Sequence, residues 1–494
     1  MTTVILADIP DPSVIRVGDL YYMTSTTMYF TPGCPVMKSY NLADWEIAGY
    51  VYDTLDYNDH MTLQNGKHDY GRGSWASCLR YHEDIFYVSF VAYNTGKTYI
   101  FQTNDIENGP WRKYTIEGIY HDMSILFEGD RVFMVYGAGE IKLIELTSDA
   151  TAIKPGGIAK TIIKNADPTG GTGLAEGAHI YKLNGMYYIF IIAWPKGRRR
   201  IQVCYRANAI DGEYESKIIL DNDMGFQNAG VAQGGIVDTP AGKWHAILFQ
   251  DHGAVGRVPV VMPVSWEDNW PVIDEGAKKQ SISSVGEIVK SDDFDNTNLL
   301  LQWQWNHNPV NTHWSLSKRP GWLRLTTSHV AGSLSGARNT LTQRTFGTMC
   351  SGTVKIDVSH MKNGDYAGIG ALQDQYGFVG IKMADDAKHI VMATAPQTEK
   401  SYEVGAYKTG IPEIERESVP LTENTLYLRV DFDFTNAIDE AEFYYSLCQN
   451  KWTKIGGKLK MSYRLSHFTG YRFALFNFAT KSLGGYVDFD WFRV

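Results

Sequence analysis

Cysteines are few in this sequence, and their spacing gives them no structural partner. Five cysteines are spread over 494 residues without a CxxC pair, which argues against a disulfide framework and against a zinc site. No stretch approaches the roughly 18 apolar residues that a membrane-spanning helix needs. The opening MTTVILADIPDPS lacks the basic and apolar regions of a signal peptide, so we expect a cytoplasmic protein.

A basic surplus is also missing. The chain has 46 Lys and Arg against 55 Asp and Glu, a formal net charge of −9, and such a charge repels nucleic-acid phosphates and anionic lipids. We therefore expect neither nucleic acid nor a membrane as a partner. The basic cluster KGRRR, at residues 196–200, follows Trp194 and Pro195. It is predicted to be a solvated loop, with a substrate or anion contact as the alternative.

Aromatic residues, by contrast, are abundant. They make up 13% of the chain, with 30 Tyr and 13 Trp, and such residues favour β-strands and stack on the apolar faces of sugar rings. A chain of 494 residues also exceeds the roughly 250–300 residues at which a single hydrophobic core stops growing. We therefore expect two domains that are rich in β-structure.

One pattern recurs five times in the first part of the chain: an aromatic, apolar strand, a tight turn and a second strand. The copies are VIRVGDLYYMTST, LRYHEDIFYVSFVA, ILFEGDRVFMVYGAG, HIYKLNGMYYIFIIA and GGIVDTPAGKWHAILFQD. Each is typical of a β-hairpin, and their spacing of roughly 45–65 residues is close to the length of a four-stranded propeller blade. SYNLADWEIAGYV, TNDIENGPWRKYTI and RANAIDGEYESKIIL are predicted to supply outer strands. The pattern predicts a five-bladed β-propeller over residues 1–280.

The remaining residues, 281–494, are β-rich without the hairpin repeat. A polar linker is predicted from Asp274 to Glu287, and a β-sandwich of the jelly-roll or concanavalin-like type after it. Four tryptophans near its start are predicted to pack in its core, with a sugar-binding face as the alternative; they are Trp303, Trp305, Trp314 and Trp322. The acidic segments SDDFD (291–295) and VDFDW (487–491) are candidate ligands for a structural Ca²⁺ ion.

Three carboxylates occupy equivalent places in the hairpin repeat. Asp11 and Asp122 each lie seven residues before the turn glycine of their hairpin, and Glu176 lies nine residues before its own. The inner strands of a propeller line the central axis, so residues at the mouths of these strands face a shared cavity. Converging carboxylates repel one another and are costly to bury unless function or a cation retains them. The spacing therefore predicts a site at the axis.

Carboxylates in unequal environments are what the hydrolysis of a glycosidic bond requires. One acid must stay protonated to donate to the leaving oxygen, while another must be ionised to activate water or to attack carbon. A third carboxylate beside the acid raises the pKa of that acid by like-charge repulsion. Glutamate, with its longer reach and its higher intrinsic pKa, suits the acid role.

The ordered motifs IPDPSVIR, YHDMSILFEGD and LAEGAHIYKLNGMYYIF resemble glycoside hydrolase family 43, whose members are five-bladed propellers. GSWASCLRYH and DHGAVGRVPVVMPVSWEDNWPV support the resemblance, while LLLQWQWNHNPVNTHWSL and GGYVDFDWFRV are similar to the C-terminal β-sandwich of its β-xylosidase and α-L-arabinofuranosidase members. The resemblance implies that Asp11 is the general base, Glu176 the general acid and Asp122 the group that raises the pKa of that acid. Since the family inverts, it also implies roughly 6.5–9.5 Å between the carboxyl groups of Asp11 and Glu176.

Further site residues follow from the same resemblance. Arg257 is expected in the pocket, where it binds sugar hydroxyls and holds Asp122 ionised. Trp75 and Trp194 are candidate sugar contacts, with core or rim packing as the alternative. Gln233 stands where many members carry a histidine that holds a central cation, so the metal of this chain is left open; His252 nearby is a candidate for a related purpose.

The expected function is an inverting exo-glycoside hydrolase that releases terminal α-L-arabinofuranose, β-D-xylose or both from arabinoxylan-derived oligosaccharides. No cofactor is expected to be needed for the chemistry. Two alternatives stay open: an endo-arabinanase with a cleft open at both ends, and a non-catalytic carbohydrate-binding propeller. Neither the preferred pentose nor the oligomeric state follows from the residues.

Overall fold

The chain folds almost entirely into β-strands. The computed structural model describes residues 2–170, 174–274, 280–396 and 408–494, so that residues 275–279 of the predicted linker lie outside the described residues. Helix in this part of the chain is confined to short 3₁₀ turns: Gly253–Val255, Asn311–His313, Leu334–Gly336 and Thr435–Ala437. None of these described helices is long and apolar enough to cross a membrane.

The first part of the chain contributes 23 strands. In chain order they are β1 (Thr2–Val4), β2 (Ser13–Val17), β3 (Leu20–Thr24), β4 (Phe30–Thr31), β5 (Gly33–Ser39), β6 (Glu46–Tyr52), β7 (Cys78–His82), β8 (Ile85–Ala92), β9 (Lys97–Thr103), β10 (Arg112–Glu117), β11 (Ser124–Glu128), β12 (Arg131–Tyr136), β13 (Ile141–Leu146), β14 (Ala159–Ile163), β15 (Leu174–Leu183), β16 (Met186–Trp194), β17 (Ile201–Ala207), β18 (Glu215–Leu220), β19 (Ala232–Asp238), β20 (Trp244–Asp251), β21 (Arg257–Glu267), β22 (Trp270–Ile273) and β23 (Gln280–Ile282).

These strands form the five predicted blades. Four blades are antiparallel four-stranded sheets with the orders β2-β3-β5-β6, β7-β8-β9-β10, β11-β12-β13-β14 and β15-β16-β17-β18. The five predicted hairpins are β2–β3, β7–β8, β11–β12, β15–β16 and β19–β20. Their turns use left-handed backbone where predicted, as at Gly18 and Gly185. The three polar segments supply the outermost strands β6, β10 and β18, so the predicted propeller is confirmed.

The fifth blade closes the ring with the first strand of the chain. Its sheet has the order β19-β20-β21-β1-β23, with β22 also paired to β21. Strand β1 pairs antiparallel with β21, and Thr3 lies opposite Val261. Strand β23 then runs parallel to β1, so the propeller sheet extends to Ile282. Joining the two ends of the propeller in one sheet fixes the ring by backbone hydrogen bonds.

The second part of the chain contributes 15 strands. They are β24 (Gln304–Asn306), β25 (Trp314–Ser315), β26 (Leu323–Thr326), β27 (Leu341–Arg344), β28 (Met349–His360), β29 (Asp365–Leu372), β30 (Gly377–Ala384), β31 (Ala387–Thr394), β32 (Ile414–Leu421), β33 (Thr425–Asp433), β34 (Glu440–Ser446), β35 (Thr453–Lys454), β36 (Leu459–Lys460), β37 (Arg472–Ala479) and β38 (Tyr486–Arg493).

These strands form the predicted sandwich of two sheets. One sheet has the order β32-β31-β30-β29-β37-β27-β24-β4, and the other β25-β26-β38-β28-β33-β34-β35 with β36 beside β34. The sheets pack closely: a Cβ added to Gly352 would stand 2.5 Å from the Phe473 ring. Trp303 and Trp305 are buried, as core packing requires, whereas Trp314 and Trp322 are half-buried.

The acidic segments of the sandwich meet, but their carboxylates have protein partners. Asp292 and Phe492 form a backbone bridge, and Asp292 accepts a hydrogen bond from the Trp303 indole at 2.8 Å. Asp293 pairs with Arg493, and Asp488 pairs with Arg324 at 2.7 Å. A structural Ca²⁺ ion at this place stays a prediction.

The two domains share a buried interface. Strand β4 of the propeller pairs with β24 of the sandwich, so one sandwich sheet continues into the propeller. Asp8, before the first blade, accepts backbone hydrogen bonds from Arg257 and from Gly470, each at 2.9 Å. Gly470 belongs to a sandwich loop, and this interface therefore fixes that loop beside the mouths of the inner propeller strands.

Candidate active site

The inner strands of three blades begin with a side chain held by left-handed backbone. Asp11 precedes β2 with φ 53°, Asp122 precedes β11 with φ 47°, and Gln233 in β19 has φ 60°. Such values are uncommon for residues other than glycine and mark places where the surrounding structure over-determines the backbone. At each mouth the chain turns before the regular ladder starts, and this turn directs a polar side chain towards the axis.

Glu176 is directed towards the same axis by a β-bulge rather than by left-handed backbone of its own. The pairing of β15 with β16 shifts register between Glu176 and His179, which is the mark of a β-bulge. Gly177, inside the bulge, has φ 71°, and a Cβ at this position would lie 2.8 Å from Cγ of Gln233. Only glycine fits both the backbone and the space, so the bulge that turns Glu176 depends on Gly177.

Asp11 is buried and is held through both carboxylate oxygens. Its Oδ1 accepts a hydrogen bond from Nη1 of Arg257 at 2.9 Å, and its Oδ2 accepts one from the Thr26 hydroxyl at 2.6 Å. Charge-assisted bonds of this kind fix the orientation of a carboxylate. Arg257 lies in the cavity wall as expected. Its charge-assisted bond goes to Asp11 and not to Asp122, because its backbone carbonyl accepts a hydrogen bond from the amide of Ile9, two residues before Asp11.

Asp122 and Glu176 are linked by a histidine. Nε2 of His121 lies 2.9 Å from Oε2 of Glu176 and 3.7 Å from Oδ2 of Asp122. The Gln233 amide donates to the same Asp122 oxygen at 3.4 Å. One ligand-type atom of each of His121, Asp122 and Glu176 lies within 4.8 Å of the others. The two carboxylates therefore share one cationic neighbour.

This proximity separates the pKa values of the two carboxyl groups. Burial raises the pKa of Asp122, and the charges of Glu176 and Asp11 add to this, so that it stands at about 7 although the His121 charge opposes the shift. Burial also acts to raise the pKa of Glu176, but the hydrogen bond and the charge of His121 outweigh it and lower the value. In the free protein Asp122 is the carboxyl group that holds a proton more readily, and Glu176 is the one kept ionised.

Glu176 and His121 border a cavity of about 630 Å³. Asp11 and Asp122 do not line it themselves but are hydrogen-bonded to Arg257 and Gln233, which do. Its aromatic walls are Trp75, Tyr93, Trp194, Phe249 and Phe468. Trp75 lies 5.0 Å, between ring centroids, from Phe468 of the sandwich, and its buried indole Nε1 has no hydrogen-bond acceptor among the described residues. An indole donor and flat rings around carboxylates match the polar and apolar faces of a sugar.

The remaining predicted residues fall into two groups. Trp194 lies at the cavity rim and is 45% exposed. His252 is not among the residues that line the cavity: its ring stacks on Phe226 at 3.9 Å between centroids, and its Nε2 lies 2.8 Å from Oε1 of Gln250. The structure thus brings Trp75, Trp194, Gln233 and Arg257 together around the acids and leaves His252 outside.

The basic cluster is a loop, as predicted, and residues 196–198 are exposed, but its last residue is buried in the cavity wall. Arg200 is 9% exposed and lines the cavity, with its guanidinium 4.4 Å from the Trp194 ring and paired with Asp251. Arg198 and Arg199 pair with Asp221 at 2.8 and 2.6 Å. The expectation of solvation fails for Arg200 because its partner Asp251 comes from β20 of the next blade.

Ca²⁺ fits these residues poorly. Ca²⁺ takes six to eight oxygen ligands, whereas this cluster offers one imidazole nitrogen and two carboxylate groups, which are already bonded to His121 and Gln233. Within the described residues no other group of three His, Cys, Asp or Glu side chains has metal-ligand spacing. The chemistry of this site is therefore best described with protons.

Sequence reasoning missed His121, Tyr93 and Phe468. His121 directly precedes the predicted site residue Asp122 in YHDMS, and this adjacency was the one signal that could have identified it. Nothing in the spacing shows that its ring turns towards Glu176 of the next blade. Phe468 comes from a sandwich loop without strand periodicity. Only the fold shows that this loop reaches the cavity.

Known proteins share both the fold and its division. Residues 2–271 match glycosyl hydrolases family 43, and residues 291–494 match the β-xylosidase C-terminal concanavalin A-like domain. A β-xylosidase of Formosa agariphila is 30% identical over 98% of this chain and 88% of its own length.

Solved structures agree. A bifunctional GH43-CE protein of Bacteroides eggerthii is 46% identical with a TM-score of 0.91, and the match covers 99% of this chain but 62% of that one. A GH43 enzyme engineered to display both endo-xylanase and exo-arabinofuranosidase activity is 30% identical with a TM-score of 0.88 over 100% of this chain and 98% of its own. Both the propeller with its acidic axis and the sandwich thus have counterparts in these relatives. This chain is a glycoside hydrolase and belongs to family 43.

Proposed function

We propose that the enzyme is an inverting exo-glycosidase that releases terminal β-D-xylose, α-L-arabinofuranose or both from arabinoxylan-derived oligosaccharides. The observation that carries the proposal is the grouping of three acids at one aromatic-lined cavity: Glu176 lines it, and Asp11 and Asp122 are hydrogen-bonded to its lining residues Arg257 and Gln233. Asp11 and Asp122 are buried, and the Glu176 side chain is 29% exposed. Glu176 is thus the acid that an entering substrate reaches most readily.

The proposed reaction is a single displacement. Asp11 takes a proton from a water molecule, whose oxygen attacks the anomeric carbon on the face opposite to the leaving group. The bond from that carbon to the glycosidic oxygen breaks, and Glu176 supplies the proton that this oxygen needs. Arg257 and Thr26 keep the two oxygens of Asp11 in place for the water. No metal is required at any step.

The walls of the cavity favour removal of an end residue. Phe468 and Leu465, from the sandwich, line the cavity together with Trp194 and Leu174 of the propeller. A long internal stretch of polysaccharide needs a groove that is open at both ends, and the sandwich loop obstructs such a path. This supports a sugar ring that enters from the chain end.

The choice between the two pentoses rests on the relatives. The relative from Formosa agariphila is a β-xylosidase, and the engineered GH43 enzyme displays exo-arabinofuranosidase activity. A furanoside and a pyranoside of five carbons can present similar hydroxyl groups to one pocket. We therefore propose that the enzyme acts on both, with xylosides as the first substrates to assay.

Turnover of p-nitrophenyl β-D-xyloside and α-L-arabinofuranoside tests the proposal, and NMR of the first-formed sugar identifies the anomer. We expect release of single pentoses with inverted configuration. Glu176→Gln should lower kcat on xylobiose by about 10²–10⁴-fold. The matched control Glu117→Gln, on the exposed outer strand β10, should leave kcat unchanged.

Three other results would each overturn part of the proposal. A retained anomer excludes the single displacement. Release of oligosaccharides from linear arabinan indicates an endo-arabinanase. Sugar binding without any turnover, in the wild type as in Glu176→Gln, indicates a carbohydrate-binding propeller that has lost its activity.

A further inference from the structure

His121 occupies a place between two propeller blades that packing alone does not explain. Its Nε2 lies 2.9 Å from Oε2 of Glu176, and its Nδ1 lies 2.8 Å from the hydroxyl of Tyr93. Its ring also meets Trp75 edge-on at 5.6 Å between centroids. Both ring nitrogens therefore have partners, one of which is the proposed general acid.

The surroundings of His121 are strongly anionic. Asp122 follows it in the chain, Glu176 faces it from the fourth blade, and Asp11 acts on it from the first. Tyr93 faces it from the second blade, and burial together with Asp122 and Glu176 raises the pKa of this phenol to about 12. The tyrosine is thus neutral in the working range of pH, and its hydroxyl oxygen accepts the hydrogen bond from Nδ1 whenever the imidazole is protonated on both nitrogens.

Cationic side chains in the cavity wall help to lower the pKa of Glu176. Arg257 and Arg200 help to lower the pKa of Glu176, after the hydrogen bond and the charge of His121, and Arg72 lines the same cavity. Glu176 is therefore ionised in the free enzyme. A general acid that has no proton of its own must receive one from a neighbour before it can act.

We propose that His121 is a positioning residue that holds, in the free enzyme, the proton which Glu176 passes to the leaving oxygen. The inference rests on the proposed function, since it assigns the source of the proton for that reaction. It adds a donor to the site and leaves Asp11 as the base. Asp122, which was expected to raise the pKa of Glu176, acts here on His121, whose pKa its charge raises.

The proton balance of the step is simple. The bond from Nε2 of His121 to hydrogen breaks as a bond from Oε2 of Glu176 to hydrogen forms, and this proton then bonds to the glycosidic oxygen as the bond from that oxygen to the anomeric carbon breaks. Asp11 gains the proton lost by water. At the end His121 is neutral and Asp11 protonated, and solvent exchange restores both after the products leave. No oxidant or other reactant takes part.

The electrostatics of the pair agree with this storage. Burial opposes the charged imidazole, but Asp122 and Glu176 outweigh it and raise the pKa of His121 to about 9. A raised pKa means that the proton is bound below about pH 9 and lost as the pH rises through that value. The alkaline limb of kcat/KM should therefore lie near pH 9, far above the range of an isolated carboxyl group.

His121→Gln is the sharpest test, because the glutamine amide can still donate a hydrogen bond near Nε2 but cannot hold a proton there. We expect the alkaline limb of kcat/KM to move down by at least about one pH unit, because Glu176 must then keep its own proton. We also expect a larger loss on xylobiose, whose leaving group needs the proton, than on p-nitrophenyl xyloside. The control His245→Gln, at a half-buried histidine outside the cavity lining, should leave both unchanged.

A second measurement needs no turnover. In protein labelled with ¹⁵N-histidine, the imidazole signal that disappears in His121→Gln should titrate near pH 9, and Glu176→Gln should shift this titration to lower pH. A His121 that is neutral at pH 7, or an alkaline limb that stays in place in His121→Gln, overturns the inference. If Glu176→Gln still loses xylobiose hydrolysis in that case, the proposed function stands and only the inference fails; if the wild type hydrolyses no glycoside, the proposed function fails and the inference fails with it.

Discussion

The propeller and the sandwich are both built from antiparallel β-sheets, yet they use their strands differently. In β33 of the sandwich buried and half-buried residues alternate along the whole strand, and its outward charges pair with one another, as Arg429 does with Asp431 at 2.5 Å. In β19 of the propeller nearly every residue is buried. A regular strand of the sandwich offers one face to solvent, whereas β19 is buried on both faces, and its polar Gln233 lies where the ladder with β20 shifts register. The polar residues of the site thus lie where the propeller strands become irregular, and the sandwich contributes apolar residues that shape the cavity.

The largest effect should come from the acids of the propeller. Asp11→Asn removes the group that accepts the proton of water, and we expect kcat to fall by about 10²–10⁴-fold on aryl and disaccharide substrates alike. The loss should not depend on the leaving group, since the base acts on the water. Asp19→Asn, in the exposed turn of the same hairpin, is the matched control. A comparable loss of kcat in both variants would show that the catalytic role does not belong specifically to Asp11 at the start of the strand.

A smaller effect should follow from a substitution that disturbs the β-bulge at Gly177. Gly177→Ala places a Cβ 2.8 Å from Cγ of Gln233 at φ +71°, so we expect a loss of roughly 1–3 kcal/mol of unfolding free energy together with reduced kcat. Urea denaturation and kinetics measure the two effects.

The control for this glycine lies in the same hairpin. Gly185→Ala meets no atom within 4 Å at φ +81°, so only the conformational cost of about 1 kcal/mol should appear, without a change in kcat. Equal kcat losses in the two variants would show that the bulge has no special place in orienting Glu176.

The contribution of the sandwich should be more modest and confined to binding. Phe468→Ala removes a ring that packs on Trp75 and on the guanidinium of Arg257, at 4.5 Å from its centroid, and we expect KM to rise roughly tenfold. Phe468→Leu should restore part of the loss. If kcat falls as much as in the acid variants, the sandwich does more than shape the cavity.

The smallest effect is expected from chelation. Since the cluster at the axis lacks the oxygen ligands that Ca²⁺ prefers, EDTA should leave kcat and KM unchanged. Added Ca²⁺ should act, where it acts at all, on the Tm through the acidic segments of the sandwich. A loss of activity in EDTA that Ca²⁺ restores would show that a cation takes part at the propeller axis.

The fold followed from the sequence because its signals are local. Each blade begins with a hairpin whose turn contains Gly18, Asn184 or a similar residue, and the three acids lie seven to nine residues before the turn glycines. The partners of the acids did not follow. The Asp11–Arg257 bond joins residues 246 positions apart, and Arg200 seemed solvated because its partner Asp251 comes from the next blade. Charge pairing across blades depends on how the sheets face one another, which periodicity does not encode.

The pairing of β1 with β21 has a consequence for folding during translation. Asp11 leaves the exit tunnel long before Arg257, which follows 246 residues later, and at about 5–20 residues per second this is a delay on the order of tens of seconds. During that time the nascent chain carries its base without the guanidinium that orients it. Hydrolytic competence thus arises as a late event of translation, when the closing blade captures the strand that was made first.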